Sequence, residues 1–312
     1  MKEEEPIDRI HVFLLGKFNA ARGEKAVDGL EAQKVQELLC YLLIYRNRPH
    51  VREKLADLLW QNSSSAQSKQ YLRHTLCQLQ AALENKHDPA ESLISVESDW
   101  IQLNPAVDHW SDIQQLEQAF TLTQNQRGRE LDEGQAQTVQ QAVQLYRGDL
   151  LENWYQDWCI LERERFQNMY LTMLDKLMSH CTARHFYEQG IVYGAEILRC
   201  DIAHERTYRR LMRLRYLDGD RTGALRQFEV CTKALAQELD VKPAARTLDL
   251  YEQIRDDKPL SLNLYESDNS AVPEERVSLP ALLQRLNHVR TTLIHAQRQI
   301  EQDIEIVKTA LS

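Results

Sequence analysis

Val12, Leu14 and Phe18 stand out loosely between polar or small neighbours, and Gly16, Gly23 and Gly29 punctuate the stretch that follows. Alternation broken by glycine predicts a short antiparallel sheet over residues 10–30. From Glu31 the period lengthens. Val35, Leu38, Leu39, Leu42 and Leu43 fall on one face of a helix that ends near Pro49, because proline disfavours helical geometry in the residue before it. A second helix is predicted over 52–60, with Leu55, Leu58 and Leu59 inward. The polar turn 61–65 offers N-cap oxygens to a third helix over 66–84, striped by Leu72, Leu76, Leu79 and Leu83. Two short β-like runs, 93–96 and 100–103, then flank Glu97-Ser98-Asp99 and predict a hairpin.

Beyond Pro105 the period is helical throughout, with segments at 111–124, 134–147, 158–182, 186–200, 203–218, 221–240 and 243–255. Gly190 and Ile191 recur as Ala224 and Leu225, 34 residues later, which is the period of tetratricopeptide repeats. A small residue at the first position of each pair lets two helices approach closely. Residues 258–277 form a polar linker. After it Leu279, Leu286, Leu293, Ile300 and Val307 return every seven residues, the seam of a coiled-coil helix over 278–311 and the expected means of homodimerisation.

The resulting fold class is mostly α. It comprises an N-terminal winged helix-turn-helix (α+β, residues 8–107), a tetratricopeptide-like all-α domain (108–257), the linker (258–277) and the coiled-coil helix (278–311). Ten glycines and eight prolines in 312 residues suit helices with short connections. No apolar run is long enough to span a membrane, the N-terminus lacks a secretory signal, and six scattered cysteines have no C-x-x-C spacing. A cytoplasmic protein with reduced thiols is expected, without a membrane partner. The net charge of -9 argues against nucleic acid, yet residues 7–90 hold 12 Lys+Arg against 9 Asp+Glu. Phosphate binding follows the local field rather than the total.

On the third helix, away from its leucines, lie Gln67, Gln70, His74 and Gln78, flanked by Lys69, Arg73 and Thr75. These side chains can reach base edges and phosphates in a major groove. The same pattern on a lone helix would be a solvated face. The order of sheet, three helices and hairpin is what favours DNA.

Several motifs add to this reading. The segment 71–83, Tyr-Leu-Arg-His-Thr-Leu-Cys-Gln-Leu-Gln-Ala-Ala-Leu, closely resembles the recognition helix of the Streptomyces antibiotic regulatory protein family. Ile101-Gln102-Leu103-Asn104-Pro105 with Val107-Asp108 is similar to that family's wing exit. Residues 145–151 and 158–165 resemble the start of its bacterial transcriptional activator domain, and 234–243 its end. The likeness spans residues 8–256. It implies a sequence-specific regulator of the OmpR-type winged-helix class that binds double-stranded DNA at repeated promoter sites and helps recruit RNA polymerase. By position, His74, Gln78 and Tyr71 would face bases, while Gln70, Thr75 and Gln80 would approach the backbone. The chain departs from the family where Gln78 and Gln80 replace arginines and where the wing is acidic at Glu97-Ser98-Asp99.

Other chemistry is sparse. No G-x-x-x-x-G-K-[ST] or G-x-G-x-x-G occurs, so no nucleotide cofactor is implied. His180 and His185 are spaced for different helix faces, so no metal is expected. Trp154, Tyr155 and Trp158 read as core at a helix junction, with a small-molecule pocket as the alternative. Arg206, Arg209, Arg210, Arg213 and Arg215 read as a solvated basic face, with an anionic partner (DNA phosphate or a carboxylate-rich protein surface) as the alternative. No nucleophile–base pair stands out, so an enzyme is not expected. The rival to a DNA-binding activator is a tetratricopeptide-type adaptor that has lost DNA binding, favoured by the arginine-poor third helix and the acidic wing.

Overall fold

A computed structural model describes residues 9–83 and 92–258. The heptad helix over 278–311, with Leu279, Leu286, Leu293, Ile300 and Val307, lies outside the described residues, as does most of the linker.

The chain opens with strands β1 (Ile10–Phe13), β2 (Asn19–Arg22) and β3 (Lys25–Ala26). Helices α1 (Gln33–Ile44), α2 (Arg52–Leu59) and α3 (Ser65–Leu83) follow, with the two-residue strand β4 (His50–Val51) before α2. Strands β5 (Ile94–Val96) and β6 (Trp100–Leu103) form the hairpin, and β7 (His109–Ser111) leads into the helical part. That part comprises α4 (Asp112–Thr123), a 3-10 turn (Gly128–Glu130), α5 (Glu133–Gln144), α6 (Asp157–Ala183), α7 (Tyr187–Cys200), α8 (Glu205–Leu217), α9 (Arg221–Leu239) and α10 (Ala245–Arg255).

The three helices sit between two small sheets. One has the order β3-β2-β1-β7, the other β4-β6-β5. The antiparallel sheet expected over residues 10–30 is therefore larger than the local pattern suggests, because β7 adds to it parallel to β1, pairing Ile10 with His109 and Val12 with Ser111. A parallel partner from a hundred residues away has no local sequence signal. Likewise β4 pairs with β6, His50 opposite Ile101, and completes the hairpin as a three-stranded wing.

The leucine stripes are buried as their spacing demands: Leu38, Leu39, Leu42 and Leu43 on α1, Leu55 and Leu59 on α2, and Leu72, Leu76, Leu79 and Leu83 on α3. Leu58 is only half-buried. One continuous core runs from these residues into the helical part, through Ile113, Leu116, Leu150, Leu151, Trp158 and Phe166.

Backbone hydrogen bonds close that junction. Gly16 N donates to Asp149 O (2.9 Å), Leu151 N to Leu14 O (2.8 Å) and Glu152 N to Gly16 O (3.1 Å). The Arg163 guanidinium donates to the carbonyls of Leu150, Leu151 and Trp154 at 2.9–3.0 Å. It thereby pins a turn in which Leu151 and Asn153 both have positive φ. Glu117 of α4 pairs with Arg46 beyond α1 and with Arg165 of α6 (2.8 Å). At the centre, Asp112 is wholly buried and accepts from Leu14 N and Leu15 N at 2.8 Å and from Ile113 N at 2.7 Å.

Candidate nucleic-acid interface

Helix α3 is anchored at both ends. At its start the Gln67 side chain accepts from Ser64 N (3.3 Å) and Ser64 Oγ (3.1 Å), closing the first turn. At its end Arg22 Nη2 of β2 donates to Leu83 O (2.9 Å), satisfying a terminal carbonyl. With the leucines sunk in the core, the opposite face is held out to solvent.

Of the residues expected on that face, Gln70, Arg73, His74 and Gln78 are exposed, and so is Tyr71, whose ring packs 6.0 Å from Trp60. Their spacing of three and four residues puts Gln70, His74 and Gln78 on one line along the helix. Lys69 is exposed too, but its ammonium is paired with Glu53 of α2, and the ammonium holds the Glu53 carboxyl below its usual range. Gln80 is half-buried. Thr75 departs from expectation. It is 5% exposed and lies with the leucines, because the buried stripe is wide enough to take in the position between Leu72 and Leu76. It does not share the outward face. Cys77 does share it, a neighbour that the sequence reading passed over.

The wing carries little positive charge. Glu97, Ser98 and Asp99 at its tip are all exposed. Glu97 N donates to Trp100 O (2.9 Å), and Arg52 N donates to Asp99 O (2.9 Å), tying the tip to the start of α2. The acid that looked out of place in the sequence is therefore on the surface and fixed in position.

The other candidates resolve differently. Trp158 is core, set edge-on to Tyr41 of α1 at 5.5 Å, with Trp154 edge-on to it at 6.5 Å, whereas Tyr155 is 77% exposed. Trp154 and Trp158 belong to the domain junction, and Tyr155 does not join them. The basic run on α8 is not a solvated face. Arg210 and Arg213 are buried; Arg210 pairs with Asp175 and donates to Ser179 Oγ (2.8 Å), while Arg209 donates to Thr247 Oγ1 (3.1 Å). These arginines stitch neighbouring helices together. His180 is buried on α6, but His185 lies past the end of that helix with φ 62°. Among the described residues no group of three or more His, Cys, Asp or Glu is placed to hold a metal ion, and no helix is long and apolar enough to cross a membrane.

Residues 111–255 match the family model of the bacterial transcriptional activator domain. No curated protein matches. Among solved structures, the chain is similar to EmbR of Mycobacterium tuberculosis, in complex with a low-affinity phosphopeptide, with a TM-score of 0.67 at 17% identity. That likeness covers 81% of this chain and 66% of the EmbR chain, so this chain spans slightly less than two thirds of its relative. The chain carries a bacterial transcriptional activator domain. At this level of identity the EmbR likeness speaks for the fold, and the domain match speaks for residues 111–255. The matched activator domain begins at Ser111, the last residue of β7, within the core that it shares with the winged helix.

Proposed function

We propose that this chain, whose motifs resemble the Streptomyces antibiotic regulatory protein family, is a sequence-specific DNA-binding activator. The observation that carries the reading is the outward face of α3. Gln70, Arg73, His74 and Gln78 stand exposed on a helix whose opposite side is fixed in the core, inside a winged helix fused to an activator domain. A helix held this way can enter a major groove, with glutamine and histidine at base edges and Arg73 at phosphate. Residues 8–107 read the site and 108–257 carry the contact with RNA polymerase. The heptad helix at 278–311 pairs two chains on repeated sites, and the protein works in the cytoplasm.

An adaptor without DNA binding is the second reading. The Lys69–Glu53 pair and the acidic wing tip favour it, since each lowers the positive potential near α3. Fluorescence anisotropy with promoter DNA from the protein's own gene neighbourhood separates the two. A regulator binds at low salt and loses affinity steeply as salt rises. Absence of binding at low salt would leave the adaptor.

A further inference from the structure

The outer face of the wing holds a cavity of about 230 Å³, lined by Pro49, Ser95, Glu97, Trp100 and Gln102. Strand periodicity explains the set. Ser95 on β5 and Glu97 just past its end are two apart, and Trp100 and Gln102 are two apart on β6, so all four share the face opposite the buried Ile94 and Ile101. The register places Ser95 opposite Gln102, and the bond from Glu97 N to Trp100 O sets Glu97 opposite Trp100, both lining the cavity. Trp100 is 43% exposed, an unusual place for the largest apolar side chain. Glu97 makes no ion pair among the described residues.

We propose that this cavity is a binding site for a guanidinium group, presented by an arginine of a protein partner. An exposed indole face attracts a cation through its quadrupole. The neighbouring carboxylate supplies the opposite charge and two oxygens spaced for a forked donor. Ser95 and Gln102 add hydroxyl and amide oxygens for the remaining N–H groups. Arginine fits better than lysine because its planar head can stack on the ring while it donates to the acid. The same chemistry disfavours nucleic acid in this cavity, since a phosphate would meet the Glu97 charge. Its occupant is therefore a protein side chain. The assignment of the cavity does not depend on whether α3 binds DNA.

The test uses the full chain labelled with 5-fluorotryptophan, whose five tryptophans give separate fluorine resonances, Trp100 being identified by loss of its signal in Trp100→Phe. The probe is N-acetyl-arginine amide, with N-acetyl-citrulline amide as its uncharged isostere. The expected result is a saturable shift of the Trp100 resonance by the arginine probe, with at least about fivefold weaker binding of the citrulline probe. Glu97→Gln should weaken the arginine probe by a similar factor, while the other four resonances stay in place and report an intact fold. An unmoved Trp100 resonance, an equal response to citrulline, equal binding by Glu97→Gln, or parallel movement of all five signals would overturn the proposal.

Discussion

Asp112 accepts three backbone hydrogen bonds while shut away from water, and two opposing influences act on its carboxyl. Burial pushes its pKa up, and the N–H groups of Leu15, Leu14 and Ile113, with the charge of Arg147, pull it back, leaving it raised from 3.8 to about 6. Because the folded protein holds this proton to higher pH than the unfolded chain, the associated stability is present below about pH 4 and lost as pH rises through 6. A shift of about two units corresponds to roughly 3 kcal/mol. Urea unfolding of wild type and Asp112→Asn should therefore show the wild-type advantage shrinking by up to about 3 kcal/mol between pH 4 and 7. A constant difference would contradict it. Asp112→Ala orphans the three donors and should cost about 3 kcal/mol or more at any pH. On α3, Gln78→Ala should relax base choice at one position of a half-site, where a bidentate contact discriminates by about 1–3 kcal/mol. Arg73→Ala should instead weaken all sites alike and reduce the salt slope by about 1. Binding measured on specific and scrambled DNA distinguishes the two.

The helices were legible wherever burial made the pattern one-sided. The stripes of α1 and α3 and the close approach at Gly190 could all be read in advance. A Cβ at Gly190 would lie 3.0 Å from Leu214 Cδ1, a yielding neighbour. Gly128 carried no such signal. In the 3-10 turn its Cβ would fall 2.3 Å from the Lys176 carbonyl oxygen and 2.7 Å from Lys176 Cα, backbone atoms of α6 that cannot move aside. Gly128→Ala is expected to lower stability by at least about 1–3 kcal/mol, and Gly190→Ala by less. Thermal unfolding of both variants checks the order. Thr75 and the α8 arginines misled for a related reason. Polar side chains were assigned to solvent, but Thr75 fits within a broad apolar stripe, and Arg210 finds Asp175 on a helix thirty-five residues earlier. Neither outcome is written in the local period.

At the level of the whole molecule, the sequence shows a change of pattern after the hairpin, but not the continuous core that bridges the two parts. That continuity comes from long-range pairing of β7 with β1, from Asp112, and from aromatic contact between Tyr41 and Trp158. It predicts that limited proteolysis makes no early cut between residues 104 and 112. Release of a stable N-terminal fragment by cleavage there would show a loose tether instead. A rigid junction would also carry the orientation of α3 directly to the activator domain. The most direct measurement of whether α3 reads DNA is selection of bound sequences from a random duplex pool by the full chain, at two salt concentrations, alongside His74→Ala and Gln78→Ala. Enrichment of a repeated motif by the wild type, with information lost at defined positions in each variant, is the expected result. No enrichment at low salt, or an identical motif from all three proteins, would contradict it.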